Sequence, residues 1–375
     1  MDFNYSEEQQ MLADSLRRFI DTEYTFARRR ASARGGNSLD RAAWAQLAEM
    51  GVLGLTVPAE YGGFGESAAS QLVVQRELGR GLVLEPVTPA AVISTAVLSA
   101  YGSAAQKEAW LPAIAGGERI VTLAYLEPTT RYRAESARAA AERKDDGYQL
   151  NGTKTLAWHG EAADAFLVSA RLAGSNELSL FLVPGDTPGL SVHGYPTMDG
   201  LRAADITLHD ATVGAAALVG SEGNGLAALT HGIDHGIAAL CAEAAGAMER
   251  LIEITGEYLR TRQQFGKPLA AFQALQHRMA DMLVQKELAL SMAYVAAQAL
   301  DETDPAQRRR MLSGAKVVVA RAGRFVGQQA VQLHGGMGMT DELEVGDYFK
   351  RLTMIDPLLG DSDFHVQRYG EVMVG

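Results

Sequence analysis

Cysteine is nearly absent. Cys241 alone can form neither an intrachain disulfide framework nor a cysteine-based metal site, which fits a reducing compartment, with the cytoplasm as the natural expectation. Positive charge is short as well: 34 Lys and Arg face 45 Asp and Glu, for a formal charge of -11. Nucleic-acid binding, which needs clustered cations to displace counterions, is therefore not expected. The run Arg28-Arg29-Arg30 is too short to change that and reads as a solvated helix end. No apolar run approaches membrane-spanning length. The amino terminus MDFNYSEEQQMLADSL lacks the basic-then-apolar layout of a secretion signal, so neither membrane insertion nor export is expected. The eight histidines show no ligand spacing with a second His, Asp or Glu cluster, which argues against a metal site. What the chain does have is apolar mass. Hydrophobic types make up 47% of 375 residues and charged types 21%, enough to bury a large core in two or three domains.

Periodicity divides that mass into three parts. Ser6 and Gln9 form a capping-box pattern, and Leu12, Leu16, Phe19 and Ile20 then recur on one helical face. Helical patterns follow at Ala42 to Met50, Gln71 to Leu78 and Gln106 to Ile114, separated by breakers such as Tyr61-Gly62-Gly63-Phe64-Gly65. From Val121 the period shortens. Val121 to Tyr125, Tyr148 to Leu150, Ala165 to Ser169 and Leu178 to Val183 read as strands, with Asp145-Asp146-Gly147 and Asn151-Gly152 as hairpin-type dipeptides. Seven or so strands up to Val219 suggest a compact barrel or sandwich. After Gly220, apolar or small residues step by three and four from Leu229 to Tyr258, which predicts one long helix. Two more helices are expected over about 275–300 and 306–333, forming an antiparallel bundle. The expected domains are an α-helical part over residues 1–118, a β part over 119–226 and an α-helical part over 227–375.

Two segments carry chemistry. Arg262-Gln263-Gln264-Phe265-Gly266-Lys267-Pro268, followed by Phe272-Gln273, lies on the turn between two long helices. A guanidinium and backbone amides there can meet an anion, although a plain helix stop accounts for the turn equally well. The run Gln332-Leu333-His334-Gly335-Gly336-Met337-Gly338 puts several glycines at a helix end, where one would suffice for a cap and where bare backbone can approach a ligand. Met337 and Met339 read as apolar packing. Tyr348-Phe349-Lys350-Arg351 and His365 read as helical surface and carboxyl-terminal tail.

These two segments and the α-β-α order strongly resemble the acyl-CoA dehydrogenase family over essentially the whole chain. The resemblance implies an acyl-CoA dehydrogenase-like fold with an N-terminal helical domain, a middle β-barrel domain and a C-terminal domain like a four-helix bundle. It implies FAD as cofactor, an acyl-CoA substrate, an electron-transferring flavoprotein as acceptor and an obligate oligomer, since the family shares FAD across a subunit interface. Carried over residue by residue, it nominates Arg262, Phe265, Gln273, Gln332, Gly335 and Gly336 as dinucleotide contacts. On the flavin side the family usually reads T-E-P-G-x-G-S-D, whereas this chain reads Leu126-Glu127-Pro128-Thr129-Thr130-Arg131-Tyr132-Arg133. Leu126 lacks the family's hydroxyl and offers only its backbone amide. The other flavin-facing strand appears as Leu156-Ala157-Trp158, with Trp158 either beside the ring or in the core.

Family chemistry is an α,β-elimination in which a carboxylate takes the α-proton while the β-hydride moves to the flavin. That base must lie within hydrogen-bond reach of the carbon. Where the family commonly has it, in a Y-E-G-T-S segment, this chain reads Leu358-Leu359-Gly360-Asp361-Ser362, so Leu359 replaces the glutamate. The family's alternative position, in a D-x-E-R pattern, falls on Gly236 of Asp234-His235-Gly236-Ile237, and Ile237 replaces the arginine. Asp361, Asp356 and Glu243 are the substitutes considered. Glu243, among alanines, reads more readily as a buried helix glutamate than as a base. The missing base and the segments CAEAAGAM, RAGRFVGQQAVQLHGGMGMTDEL and FKRLTMID make the chain similar to the partner-type subunits of heteromeric members, notably pimeloyl-CoA dehydrogenase small subunits. A paralogous chain would then supply the base and part of the FAD site. A self-sufficient homo-oligomer with a relocated carboxylate and an inactive structural subunit are the alternatives.

Overall fold

The computed structural model describes residues 5–36, 39–175 and 177–374. Helices come first: α1 (Glu7–Thr22), α2 (Phe26–Arg34), α3 (Arg41–Glu49), α4 (Ala68–Arg80), a π-helical segment Val87–Ser94, α5 (Thr95–Tyr101) and α6 (Ala104–Ala115). The expected capping box opens α1, with the Ser6 hydroxyl accepting from the Gln9 amide and the Gln9 side chain accepting from the Ser6 amide. Eight strands follow: β1 (Val121–Ala124), β2 (Ala140–Lys144), β3 (Gly147–Trp158), β4 (Ala165–Leu172), β5 (Leu178–Pro184), β6 (Leu190–Pro196), β7 (Arg202–Gly214) and β8 (Leu218–Val219). They form one sheet in the order β6-β7-β3-β2-β4-β5-β8, with β1 parallel to β4. Then come α7 (Gly225–Thr261), a small hairpin of β9 (Gln263–Gln264) and β10 (Lys267–Pro268), α8 (Gln273–Ala299), α9 (Pro305–His334), α10 (Val345–Ile355) and α11 (Ser362–Val374). The chain thus has an N-terminal helical region, a central sheet region and a C-terminal helical region. Among the described residues no helix is long and apolar enough to cross a membrane.

By internal packing the chain forms two compact units. One comprises Ala31–Ser67 and Leu84–Gly236. Its core is the inner face of the sheet, where Phe166, Val168, Phe181 and Val183 from β4 and β5 meet Leu150, Ile206 and Ala211, so hydrophobic burial rather than edge pairing fixes the strand register. Asn151-Gly152 does not make the hairpin its composition suggested. It is a bulge inside β3, where the register against β7 shifts, because β7 pairs with β3 both before and after it. Gly152 has φ 143, and a Cβ there would come within 2.6 Å of the Ala139 Cβ, while the Asn151 side chain exchanges hydrogen bonds with Asp210.

The other unit comprises Met1–Arg30, Ala68–Val83 and Ile237–Gly375. Here α4 and α7 touch backbone to backbone. A Cβ on Gly246 would lie 1.8 Å from the Arg76 carbonyl oxygen, and one on Gly79 would lie 2.0 Å from that of Glu243. Gly246→Ala is therefore expected to lower the unfolding free energy by about 1–3 kcal/mol through overpacking, measured as a shift of the urea midpoint. The basic run on α2 is not a solvated helix end. Arg29 is buried, donating to the Leu82 carbonyl (2.9 Å) and to Asp347 (3.1 Å), and Arg30 reaches Asp347 and the Leu343 carbonyl. Asp347 lies on α10, more than 300 residues away in sequence, so no local pattern could have announced it.

Candidate functional site

In the helical unit, the two nominated segments share one end of the bundle. Tyr258, near the end of α7, stacks on His334 at the end of α9, with ring centroids 4.4 Å apart, and its hydroxyl donates to the His334 carbonyl. The hairpin after α7 turns through Phe265 (φ 55) and Gly266 (φ 77), the two-residue loop in which both central residues need positive φ. A phenylalanine there is costly. Its ring is 89% exposed and meets Phe272 edge-on at 6.1 Å, while the Lys267 ammonium lies 4.3 Å from the Phe272 ring centre. Arg262, Gln273, Gln332, Gly335 and Gly336 are all exposed. A Cβ at Gly335 or Gly336 would meet nothing within 4 Å. Gly335 needs its freedom for φ 61, but among the described residues nothing requires Gly336 to lack a side chain. Bare backbone, an exposed guanidinium and an unpacked aromatic ring suit a flat, anionic dinucleotide. Met337 and Met339, read above as packing, are 36% and 79% exposed; this chain's own core does not take them up.

In the sheet unit, the segment after β1 is pinned from below. The Glu127 carboxylate is buried and accepts from the amides of Arg138 (2.8 Å) and Ala139 (3.0 Å) and from the Lys154 ammonium (2.6 Å). Lys154, fully buried, also donates to Ser169. Burial alone would raise the Glu127 pKa, but the ammonium and the two amides outweigh it and hold the carboxyl below its ordinary range. Leu126 is half-buried and its carbonyl accepts from the Thr155 amide. Opposite, β3 bulges at Thr155-Leu156, with Leu156 at φ 54. The bulge is held by the Tyr195 hydroxyl, which accepts from the Leu156 amide and donates to Asp205, and by the bond from Thr155 to Asp205. Trp158 is half-buried between the buried Ala157 and His159.

The carboxylates considered as bases all have structural partners. Glu243 makes a two-pronged ion pair with Arg351, at 2.5 and 2.9 Å, and both residues are 7% exposed. Asp356 accepts from the Ser362 amide and hydroxyl and from Arg324. Asp361 caps α11 by accepting from the Phe364 amide at 2.8 Å. Leu359 is buried. Arg351 and His365, read from sequence as surface and tail, are also buried, at 7% and 0% exposure. Arg351 could have been found, since Val345, Tyr348, Leu352 and Ile355 form the buried face of α10 and position 351 falls on it.

Three family models match the chain: the acyl-CoA dehydrogenase N-terminal domain over residues 6–118, its middle domain over 122–211 and its C-terminal domain over 223–374. A probable acyl-CoA dehydrogenase, YngJ, of Bacillus subtilis is 28% identical over 98% of both chains. Among solved structures, the ChsE4-ChsE5 complex from Mycobacterium tuberculosis is similar with a TM-score of 0.90 and 28% identity, covering 100% of this chain and 99% of that one. A glutaryl-CoA dehydrogenase from Mycobacterium smegmatis in complex with FADH2 is similar with a TM-score of 0.91 and 25% identity, covering 99% and 95%. Domain order, end-of-bundle glycines and these likenesses agree: the chain belongs to the acyl-CoA dehydrogenase family, FAD-dependent oxidoreductases that act on acyl-CoA thioesters.

Proposed function

We propose that this chain is one subunit of a heteromeric acyl-CoA dehydrogenase, desaturating an acyl-CoA at its α,β bond together with a paralogous chain that supplies the base. One observation carries the reading: Leu359 occupies the turn where the base is expected, while Asp361, Asp356 and Glu243 cap a helix or pair with arginines. A leucine cannot accept a proton, so α-proton abstraction needs a carboxylate from elsewhere. Bound FAD would accept the hydride. Arg262 and the bare backbone at Gly335 and Gly336 would hold its phosphates and ribose, Phe265, Gln273 and Gln332 would line the same end, and on the flavin side the Leu126 amide and Trp158 would remain. The likeness to a complex of two different chains, and to pimeloyl-CoA dehydrogenase small subunits, supports a paralogous partner. A cytoplasmic location and electron delivery to an electron-transferring flavoprotein belong to the same reading.

The test is the visible spectrum of the chain purified alone and with its paralogue, followed by anaerobic titration with a panel of acyl-CoA thioesters. Flavin retention and bleaching are expected only with the partner. Bleaching by the lone chain would overturn the heteromer and direct attention to Asp361 or Glu243 as a relocated base, whereas flavin retained without bleaching, even with the partner, would favour an inactive structural subunit.

A further inference from the structure

The six residues from Asp356 to Asp361 join α10 to α11, and their backbone is fixed far more heavily than a connection needs. Lys316 on α9 is fully buried, and its ammonium donates to the carbonyls of Asp356 (2.8 Å) and Gly360 (2.7 Å). His365 is fully buried too. Its Nε2 lies 3.1 Å from the Leu359 carbonyl and its Nδ1 lies 3.2 Å from the Ser313 hydroxyl. A carbonyl only accepts, so Nε2 carries the proton and Nδ1 accepts from Ser313. Between these anchors Leu359 takes φ 58 and Gly360 φ 114. A leucine in the left-handed region costs about 1–3 kcal/mol and persists only where its surroundings over-determine it. Gly360 allows the close approach, since a Cβ there would lie 2.6 Å from His365 Nε2. Burying an ammonium to satisfy two carbonyls is likewise expensive for a mere loop.

We infer that Lys316 and His365 are positioning residues which hold the backbone at 356–360 so that the side chain at 359 is delivered to the acyl-thioester site in one orientation. The chain thus retains the seat for a catalytic group whose group it lacks. The inference rests on the reading that position 359 belongs to the acyl-thioester site.

A cysteine placed at 359 reports on both. Cys241 is the chain's only cysteine; it is fully buried and burial pushes its thiol up to about 12, so it stays unreactive. In full-length Leu359→Cys assembled with its paralogue and FAD, alkylation of this chain by a chloroacetyl-CoA thioester, in which the thiolate sulfur displaces chloride, is compared by mass spectrometry with its alkylation by iodoacetamide. A preference for the thioester of about tenfold or more over a free thiol, abolished by excess acyl-CoA, is expected if the thiol faces a bound thioester. Adding Lys316→Met or, as a milder lesion, His365→Leu is expected to erase that preference and to raise the iodoacetamide rate about tenfold as the turn opens. His365→Gln, which keeps a donor, should restore it. If both lesions leave the preference and the rate unchanged, the positioning role is overturned while the reading of the site stands. If Leu359→Cys shows no preference but the lesions still raise the iodoacetamide rate, the backbone is held as described and position 359 does not serve a thioester, which overturns the inference together with the reading beneath it.

Discussion

Replacing Glu243 by alanine is expected to lower the unfolding free energy by about 3–5 kcal/mol, because it leaves the Arg351 guanidinium buried without its counter-charge. Both carboxylate oxygens contact that guanidinium, and both residues are 7% exposed. The penalty comes from the orphaned charge rather than from the pair's net worth. The double replacement Glu243→Leu with Arg351→Met, similar in volume and uncharged, should therefore recover most of the loss. Urea midpoints of the two single variants and the double variant measure this directly. The experiment also bears on catalysis. A glutamate with both oxygens on an arginine is poorly placed to accept a substrate proton, so activity of the assembled enzyme should follow the stability of the variants. Loss of turnover by Glu243→Gln without loss of stability would instead identify Glu243 as the base.

The second large effect depends on pH. Burial in the first place, and the Lys316 ammonium after it, lower the His365 pKa from 6.5 to about 3. The folded state thus binds this proton less readily than the unfolded chain, so stability is fully present above pH 6.5 and is lost as pH falls from 6.5 towards 3. At pH 4 the loss attributable to this one residue is about 3 kcal/mol. Urea unfolding of the native chain and of His365→Gln at pH 7 and pH 4 isolates it, since all other groups titrate in both proteins. The native chain should lose about 3 kcal/mol more than the variant. Equal losses would mean that His365 is not buried as a neutral imidazole. Lys316 acts in a separate, alkaline window. Burial lowers its pKa from 10.5 to about 8, so it penalises folding below pH 8 and the penalty is relieved as pH rises from 8 to 10.5.

Much of the architecture was legible in one dimension because it is locally encoded. The steps of three and four from Leu229 to Tyr258 became a single helix ending at Thr261, Ser6 and Gln9 became the cap they spell, and Asp145-Asp146 turned the chain between β2 and β3. The glycine run after α9 and the turn at Phe265 were visible for the same reason: unusual backbone angles need particular residues at particular places.

What the sequence could not announce is the fate of its buried charges. Lys154, Lys316, Arg29, Arg351 and His365 are all within 7% exposure, and even for Arg351, whose place on the buried face of α10 is periodic, the sequence does not name the partner. Their partners lie 27 residues away for Lys154, 40 and 44 for Lys316, 53 and 318 for Arg29, 108 for Arg351 and 52 for His365 with Ser313. Asn151-Gly152 had the composition of a turn and became a bulge because β7 kept pairing with β3 before and after it. Helix and strand periodicities are set by each residue and its near neighbours. Whether a charge is solvated, paired or catalytic depends on which distant group the fold brings within about 3 Å, and only the tertiary structure decides that.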